Sequence, residues 1–201
     1  MRYGMVIDLK KCIGCYGCHI ACKAENCTPP GILWSRVVFY ESGHYPNVKK
    51  MHIPLLCMHC AEPPCEKVCP TGATVKRSDG IVTVDSTKCM GCMSCVVACP
   101  YRARSSYSKE KEYFLGQGLT PYEEVGYQLH HTGVVEKCDF CLSRIEKGLE
   151  PACVTACLAK ARYFGDLDDP SSEVSQLIRN WGGFQMYPEL GTDPSVYYLP
   201  P

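Results

Sequence analysis

Four runs of closely spaced cysteine constrain this chain more than any other feature. They are Cys12, Cys15, Cys18 and Cys22; Cys57, Cys60, Cys65 and Cys69; Cys89, Cys92, Cys95 and Cys99; and Cys138, Cys141, Cys153 and Cys157. Of the seventeen cysteines only Cys27 lies outside them. Two residues between cysteines let the chain turn around one edge of an iron–sulfur cube and present successive sulfurs to it. In every run the last cysteine follows the third after three intervening residues, so it stands one helical turn on and points elsewhere. In two-cluster ferredoxins that fourth cysteine ligates the other cluster. Sixteen thiolates suffice for four [4Fe–4S] clusters, the cofactors expected here.

The exchange of fourth cysteines yields definite ligand sets. The second and third runs are neighbours and both end in Cys-Pro, at Cys69-Pro70 and Cys99-Pro100, where proline turns the chain away. One set is expected to be Cys57, Cys60, Cys65 and Cys99, and another Cys89, Cys92, Cys95 and Cys69. The first and fourth runs are left to pair across the chain, as Cys12, Cys15, Cys18 with Cys157, and Cys138, Cys141, Cys153 with Cys22. Lys23 and Leu158 stand where a proline would be expected in that second pairing. The expected fold is α+β, made of duplicated bacterial-ferredoxin-like modules with short strands, short helices and long loops. One lobe would comprise residues 1–56 and 134–201, the other residues 57–133 with an insertion at 101–133.

Internal repetition supports duplication. Asp8, Lys11, Cys12, Gly14 and Cys15 reappear as Asp85, Lys88, Cys89, Gly91 and Cys92, each copy a β-rich stretch leading into a cysteine loop. Cys69-Pro70-Thr71-Gly72-Ala73 is echoed by Cys99-Pro100-Tyr101-Arg102-Ala103. Asp79-Gly80 between Thr74–Arg77 and Ile81–Val84 predicts a hairpin. Stretches such as Cys18 to Ala24 and Cys95 to Cys99 are expected to be single helical turns. Asp169-Pro170 predicts a helix cap with proline at the first turn, and Val174, Leu177 and Ile178 supply one apolar face. Residues 101–133, rich in Tyr and Gly, are too long for an ordinary connection; they are read as disordered or as a surface packing on a partner.

Other chemistries fit less well. A cysteine content this high usually marks a secreted disulfide scaffold, but two-residue spacing rarely supplies disulfide geometry, and Met1–Asp8 lacks the apolar region of a signal peptide. A zinc site is a fair alternative only for Cys138, Cys141, Cys153 and Cys157. The 21 Lys and Arg balance 21 Asp and Glu without a basic run, which argues against nucleic acid. Four clusters with thiolate ligands would add about −8 to the interior. No apolar run has the length of a membrane span. No phosphate loop, dinucleotide fingerprint or nucleophilic triad is present, so no catalytic residue is assigned.

The remaining notable residues have plain readings. Cys27 is read as a small buried residue. His19 and His59 are packed or solvated imidazoles, with a hydrogen bond to a cluster sulfur as the functional alternative. His130-His131 is read as a surface pair, Met58, Met90 and Met93 as shields against water, and Asp166–Asp169 as a turn and cap. Gly14 and Gly91 would let backbone N–H groups approach sulfur closely.

Taken together, these motifs resemble the iron–sulfur subunit of the dimethyl sulfoxide reductase family of molybdopterin oxidoreductases, and in particular the four-cluster subunits of polysulfide, thiosulfate and respiratory arsenate reductases. The resemblance runs through Met5–Asp8, Cys57-x-His59-Cys60 with Pro63-Pro64-Cys65, Cys69–Ala73, Lys137-Cys138-x-Phe140-Cys141, Lys147-Gly148-x-x-Pro151-Ala152-Cys153 and Gly165–Pro170. It implies an electron-transfer subunit of an oxidoreductase complex, not an enzyme by itself. The implied partners are a molybdopterin (Mo or W) catalytic subunit and a membrane quinone-reactive subunit. The implied place is the periplasmic face of the membrane, reached by co-export with the catalytic subunit; a cytoplasmic place fits equally. The competing expectation is a free-standing polyferredoxin shuttling electrons between soluble partners, and a third is a zinc-stabilised interaction protein.

Overall fold

The computed structural model describes residues 1–106 and 112–201. Its strands are β1 (Tyr3–Asp8), β2 (Arg36–His44), β3 (Asn47–Leu55), β4 (Thr74–Lys76), β5 (Val82–Val84), β6 (Ser105–Ser106), β7 (Val135–Glu136), β8 (Arg162–Asp166) and β9 (Val196–Leu199). Its α-helices are α1 (Gly17–Asn26), α2 (Pro64–Lys67), α3 (Ser94–Ala98), α4 (Pro121–Gly126), α5 (Leu142–Ile145), α6 (Ala152–Thr155) and α7 (Glu173–Trp181). Short strands, short helices and long loops make this the α+β, ferredoxin-like arrangement expected from the sequence.

The chain ends meet in one sheet. β1 pairs antiparallel with β8 and parallel with β9, giving the order β8-β1-β9. The alternating side chains of β1 face two cores, as a strand's period of two requires. Met5 and Ile7 pack with Phe140, Val196 and Tyr198 on one face; Val6 packs with Val174 and Leu199 on the other. Full burial of each such side chain is worth about 1.5–3 kcal/mol. α7 covers that second face with Val174, Leu177 and Ile178, the predicted apolar stripe. Its start differs from expectation. Ser172 caps the helix, accepting from the Ser175 N–H, while Asp169 is spent on the N–H and hydroxyl of Ser171 in the preceding turn.

In the middle of the chain β4 and β5 form the predicted hairpin, with Asp79 accepting from the Ile81 N–H in its turn. The Tyr3 N–H donates to the Asp79 carbonyl and ties this hairpin to β1. The long β2–β3 hairpin was not anticipated; its base at Val37 and Pro54 joins the core, while its outer half stands exposed. α1 is ten residues long, not the single turn expected, because it continues past Cys22 to pack on α6.

The insertion is also different from its sequence reading. Among its described residues, 112–133 pack on the chain itself. The Tyr113 hydroxyl donates to the Thr28 carbonyl and the Tyr122 hydroxyl to those of Lys23 and Ala24. Glu123 is buried, closing a capping box with Thr120 and accepting from the Tyr113 N–H and the Tyr127 hydroxyl. The segment grouped by sequence with residues 57–133 therefore lies against α1, at the other end of the chain. Residues 107–111 of that insertion lie outside the described residues.

Candidate iron–sulfur centres

The loops around the first and third runs share a backbone. Gly14 and Gly91 are left-handed, at φ 68° and 71°, as are Tyr16 and Met93 one residue before α1 and α3. A Cβ on Gly14 would collide with the His52 ring and one on Gly91 with the Gly133 carbonyl, so only glycine fits. Burial pushes the Cys12 thiol up, and the Gly14 N–H partly offsets this. The second and fourth runs share another turn, with His59 and Phe140 both left-handed just before their second cysteine. Each then leads into a one-turn helix, α2 or α6, that carries the third cysteine.

These loops bring cysteines together in groups of four. Cys12, Cys15, Cys18 and Cys157 line one cavity, here site 1, with Val37, Pro54 and Arg162. Cys57, Cys60, Cys65 and Cys99 line another, site 3, with Tyr101 and Arg104. Cys69, Cys89, Cys92 and Cys95 line site 4. Cys22, Cys138, Cys141 and Cys153 are all buried and close enough to perturb one another, which defines site 2. Burial, then Cys153 and Cys141, push the Cys22 thiol up to about 12; burial, then Cys22 and Cys153, push Cys138 well up. Burial likewise takes Cys141 to about 11, and in site 3 burial and Cys57 take Cys60 to about 12. Unpaired negative charge is costly in these interior sites. At site 4, burial is outweighed at Cys69 by the N–H groups of Thr74, Thr71 and Ala73 and the Thr71 hydroxyl, which bring the thiol down to about 7. The Ser94 hydroxyl and N–H lower Cys92.

Buried cations separate the sites. Arg162, on β8, acts on Cys12 of site 1 and on Cys22 and Cys153 of site 2, and donates to the Ser35 hydroxyl at 3.2 Å. Arg104 acts on Cys57 and Cys65 of site 3 and is itself acted on by Cys95 of site 4, and donates to the Thr74 hydroxyl at 3.0 Å. Lys137 donates to the carbonyls of Val82 and Cys138, where sites 2 and 3 adjoin: Cys57 is among the groups that raise Cys138. The sites thus run in the order 1, 2, 3, 4. Of these three cations the sequence reading named only Lys137, as part of the motif around Cys138 and Cys141. A signal existed for two, since Arg104 and Arg162 each stand five residues after a fourth cysteine, Cys99 and Cys157.

The two ends of the row differ from its middle. Cys15 of site 1 and Cys92 of site 4 are exposed, whereas every thiol of site 2 is buried, and in site 3 only Cys99 is partly open. Exposed apolar side chains surround the end sites: Ile13, Tyr16, Ile20 and Leu158 (80% exposed) near site 1, and Met90 and Val97 (87% exposed) near site 4. Met90 lines the cavity of site 4 while 67% exposed, and Met58 lines that of site 3 and is buried. Leu158 departs from proline without disrupting the exit, which turns through left-handed Lys160 into β8.

The other candidates are settled by packing. Cys27 is buried beneath Gly126, its thiol donating to the Tyr122 carbonyl at 3.7 Å. His19 is half-buried, edge-on to Tyr16. His130 is not a surface residue: it is buried, with Nδ1 2.8 Å from both Glu136 carboxylate oxygens and Nε2 2.8 Å from the Asn26 carbonyl oxygen. His131 is exposed.

Among the described residues, no three His, Cys, Asp or Glu side chains converge on a single metal ion. The thiols of sites 1, 3 and 4 stand around cavities instead, which suits a multi-iron core. Arg104 Nη2 and His59 Nε2 are buried without a partner in the chain, and such donors fit a sulfur-rich anionic core. No helix among the described residues is long and apolar enough to cross a membrane.

Comparison with known proteins agrees with this geometry. The family described as the 4Fe-4S dicluster domain matches residues 48–115 and 108–167. The chain is 44% identical to a subunit of the selenate reductase of Mesobacillus selenatarsenatis, over 99% of this chain and 72% of that protein. It is 46% identical to the putative dimethyl sulfoxide reductase iron-sulfur subunit of Halobacterium salinarum, over 98% and 79%. It is 43% identical to the arsenate respiratory reductase iron-sulfur subunit of Shewanella sp., over 99% and 96%.

Proposed function

Starting from a chain that belongs to the iron–sulfur subunits of the dimethyl sulfoxide reductase family, and so relays electrons rather than transforming a substrate, we propose that it holds four [4Fe–4S] clusters in a row. The ligand sets are Cys12, Cys15, Cys18 and Cys157; Cys22, Cys138, Cys141 and Cys153; Cys57, Cys60, Cys65 and Cys99; and Cys69, Cys89, Cys92 and Cys95. The observation that carries this reading is the contrast between exposed end sites and buried inner ones. A row most open at its ends, with Cys99 the one partly exposed thiol between them, exchanges electrons with two partners.

A [4Fe–4S] core supplies one reversible electron when bound. The polypeptide's own work is to supply thiolates, to offset the charge they carry, and to keep solvent out. Arg162, Lys137 and Arg104 supply positive charge at the junctions between sites. The exposed apolar side chains beside sites 1 and 4 form two collars that suit docking surfaces. One is assigned to a molybdopterin-containing catalytic subunit, the other to a quinone-linked membrane subunit or other redox partner. We assign the complex to the periplasmic face, this chain being exported with its catalytic partner. The chain divides into a lobe of residues 1–56 and 134–201 and a lobe of residues 57–133, with residues 112–133 of the insertion packing back on the first.

Gentle purification of the native complex, followed by mass spectrometry and iron and sulfide analysis, tests this. Co-purifying catalytic chain and about sixteen iron and sixteen sulfide per copy are expected. A monodisperse, fully loaded chain with no partner would favour the free shuttle; about four zinc would end the iron–sulfur reading.

A further inference from the structure

Nothing in this relay uses His59. It lies between Cys57 and Cys60 with 0% exposure, in left-handed backbone at φ 42°, which a non-glycine residue keeps only where its surroundings enforce it. Two contacts do so. The Val82 N–H donates to Nδ1 over 3.1 Å, and the imidazole stacks on Phe140 with ring centroids 3.7 Å apart. Phe140 occupies the equivalent place between Cys138 and Cys141, so the paired rings sit where sites 2 and 3 adjoin. An Nδ1 that accepts a hydrogen bond holds no proton, so the ring is neutral.

A neutral imidazole whose Nδ1 accepts carries its proton on Nε2. That N–H is buried and meets no acceptor in the chain. Polar groups left so are rare in folded proteins and call for a partner. Arg104, which lines the cavity of site 3, also carries a buried nitrogen, Nη2, without a partner. The unpaired His59 donor belongs to the loop whose Cys57 and Cys60 line the cavity of site 3, and it calls for an acceptor that the chain does not itself provide.

Resting on the four-cluster reading, we propose that His59 Nε2 donates a hydrogen bond to a sulfur of the core held by Cys57, Cys60, Cys65 and Cys99, and so raises that core's reduction potential. A donor aimed at sulfur favours the reduced, more negative state. His59 and Phe140 would then also close the gap between the two inner sites with a packed, water-free contact.

The test uses the native complex. His59→Phe keeps a ring against Phe140 and removes the donor. Iron and sulfide should stay at the wild-type level, while redox titration followed by electron paramagnetic resonance shows a downward shift in one core only, the one altered in Cys99→Ser. His59→Gln, which restores an N–H donor, should bring that potential back towards wild type. In wild-type protein carrying ¹⁵N-histidine, pulsed resonance of the reduced core should show coupling to an imidazole nitrogen that disappears in His59→Gln. Unmoved potentials in a fully loaded His59→Phe protein, a shift confined to another core, or no histidine coupling in the wild type would each overturn the proposal. The last measurement decides even where His59→Phe fails to load. Too little iron in the wild type itself would instead overturn the four-cluster reading.

Discussion

Sites 3 and 4 draw every thiol from residues 57–99, a single stretch that the β4–β5 hairpin braces locally. Sites 1 and 2 draw theirs from residues 12–22 and 138–157, and close only because β1 finds β8 and β9 near the other end of the chain. The same chemistry is thus assembled once from near neighbours and once across the whole chain. The duplication explains how. Runs one and three share one turn and runs two and four another, yet the sites combine run one with four and run two with three, so the copies interlock. Both halves then place an arginine at the same offset, Arg104 or Arg162, between their two sites. The difference teaches that the loop around a core is a local device, whereas neutralising a pair of cores needs side chains that only the assembled fold can deliver.

The largest effects should come from the fourth cysteines. Cys157→Ser is expected to alter the core of Cys12, Cys15 and Cys18 and spare that of Cys138, Cys141 and Cys153; Cys99→Ser should do the same to the core of Cys57, Cys60 and Cys65. Cluster-resolved redox titration of each variant checks this, and an effect on the sequence-neighbouring core instead would break the interlocked arrangement.

Next come the arginines. Arg162→Met leaves buried negative charge uncompensated and should cost about 3–5 kcal/mol, read as a fall in the temperature at which visible iron–sulfur absorbance is lost. Arg104→Met should cost less, because its half of the row is closed by local contacts. Equal losses would show that lobe construction does not matter.

A smaller effect concerns the seam where the insertion meets α1. Both ring nitrogens of His130 face acceptors, Glu136 and the Asn26 carbonyl, so the imidazole must donate twice and hold a positive charge. Burial pulls its pKa down, but Glu136 and the backbone carbonyls more than reverse this, and the net direction is up from 6.5. A raised value means that the contribution to stability is complete below pH 6.5 and is lost as pH rises through the folded-state value. Melting temperature should therefore fall on the alkaline side of 6.5, and His130→Gln should remove that part of the pH dependence.

The smallest prediction separates two caps on the helix that covers β8-β1-β9. Ser172→Ala should cost about 1 kcal/mol in denaturant unfolding of the loaded protein, and Asp169→Ala should leave the helix start intact. The reverse order would restore the cap expected from sequence.

Much of the site was legible because it is written in short spacings. Cys-x-x-Cys turns, Gly14 and Gly91, and the Asp79-Gly80 hairpin all depend on a few consecutive residues. The misreadings fell where distant segments compete for the same residue. Asp169 looked like a cap until Ser171 claimed its carboxylate. The sequence could not show where the insertion's tyrosines bond within the chain: α1 supplies carbonyls for Tyr122, and Thr28 just beyond it one for Tyr113. His130 looked like a surface residue for the same reason. The β2–β3 hairpin went unanticipated because its outer half is exposed on both faces and has no buried-face alternation to reveal it.

By itself the sequence determined which cysteines stand at spacings that suit iron, since that follows from covalent reach along a few residues, and it predicted the exchange of fourth cysteines from the rule of two-cluster ferredoxins. Only the tertiary structure decided the order of the four sites, which of them meet solvent, and which of the chain's cations and histidines are carried inside with them. Those outcomes depend on what each buried charge or donor finds across the interior, and that is set by segments as far apart as β1 and β9.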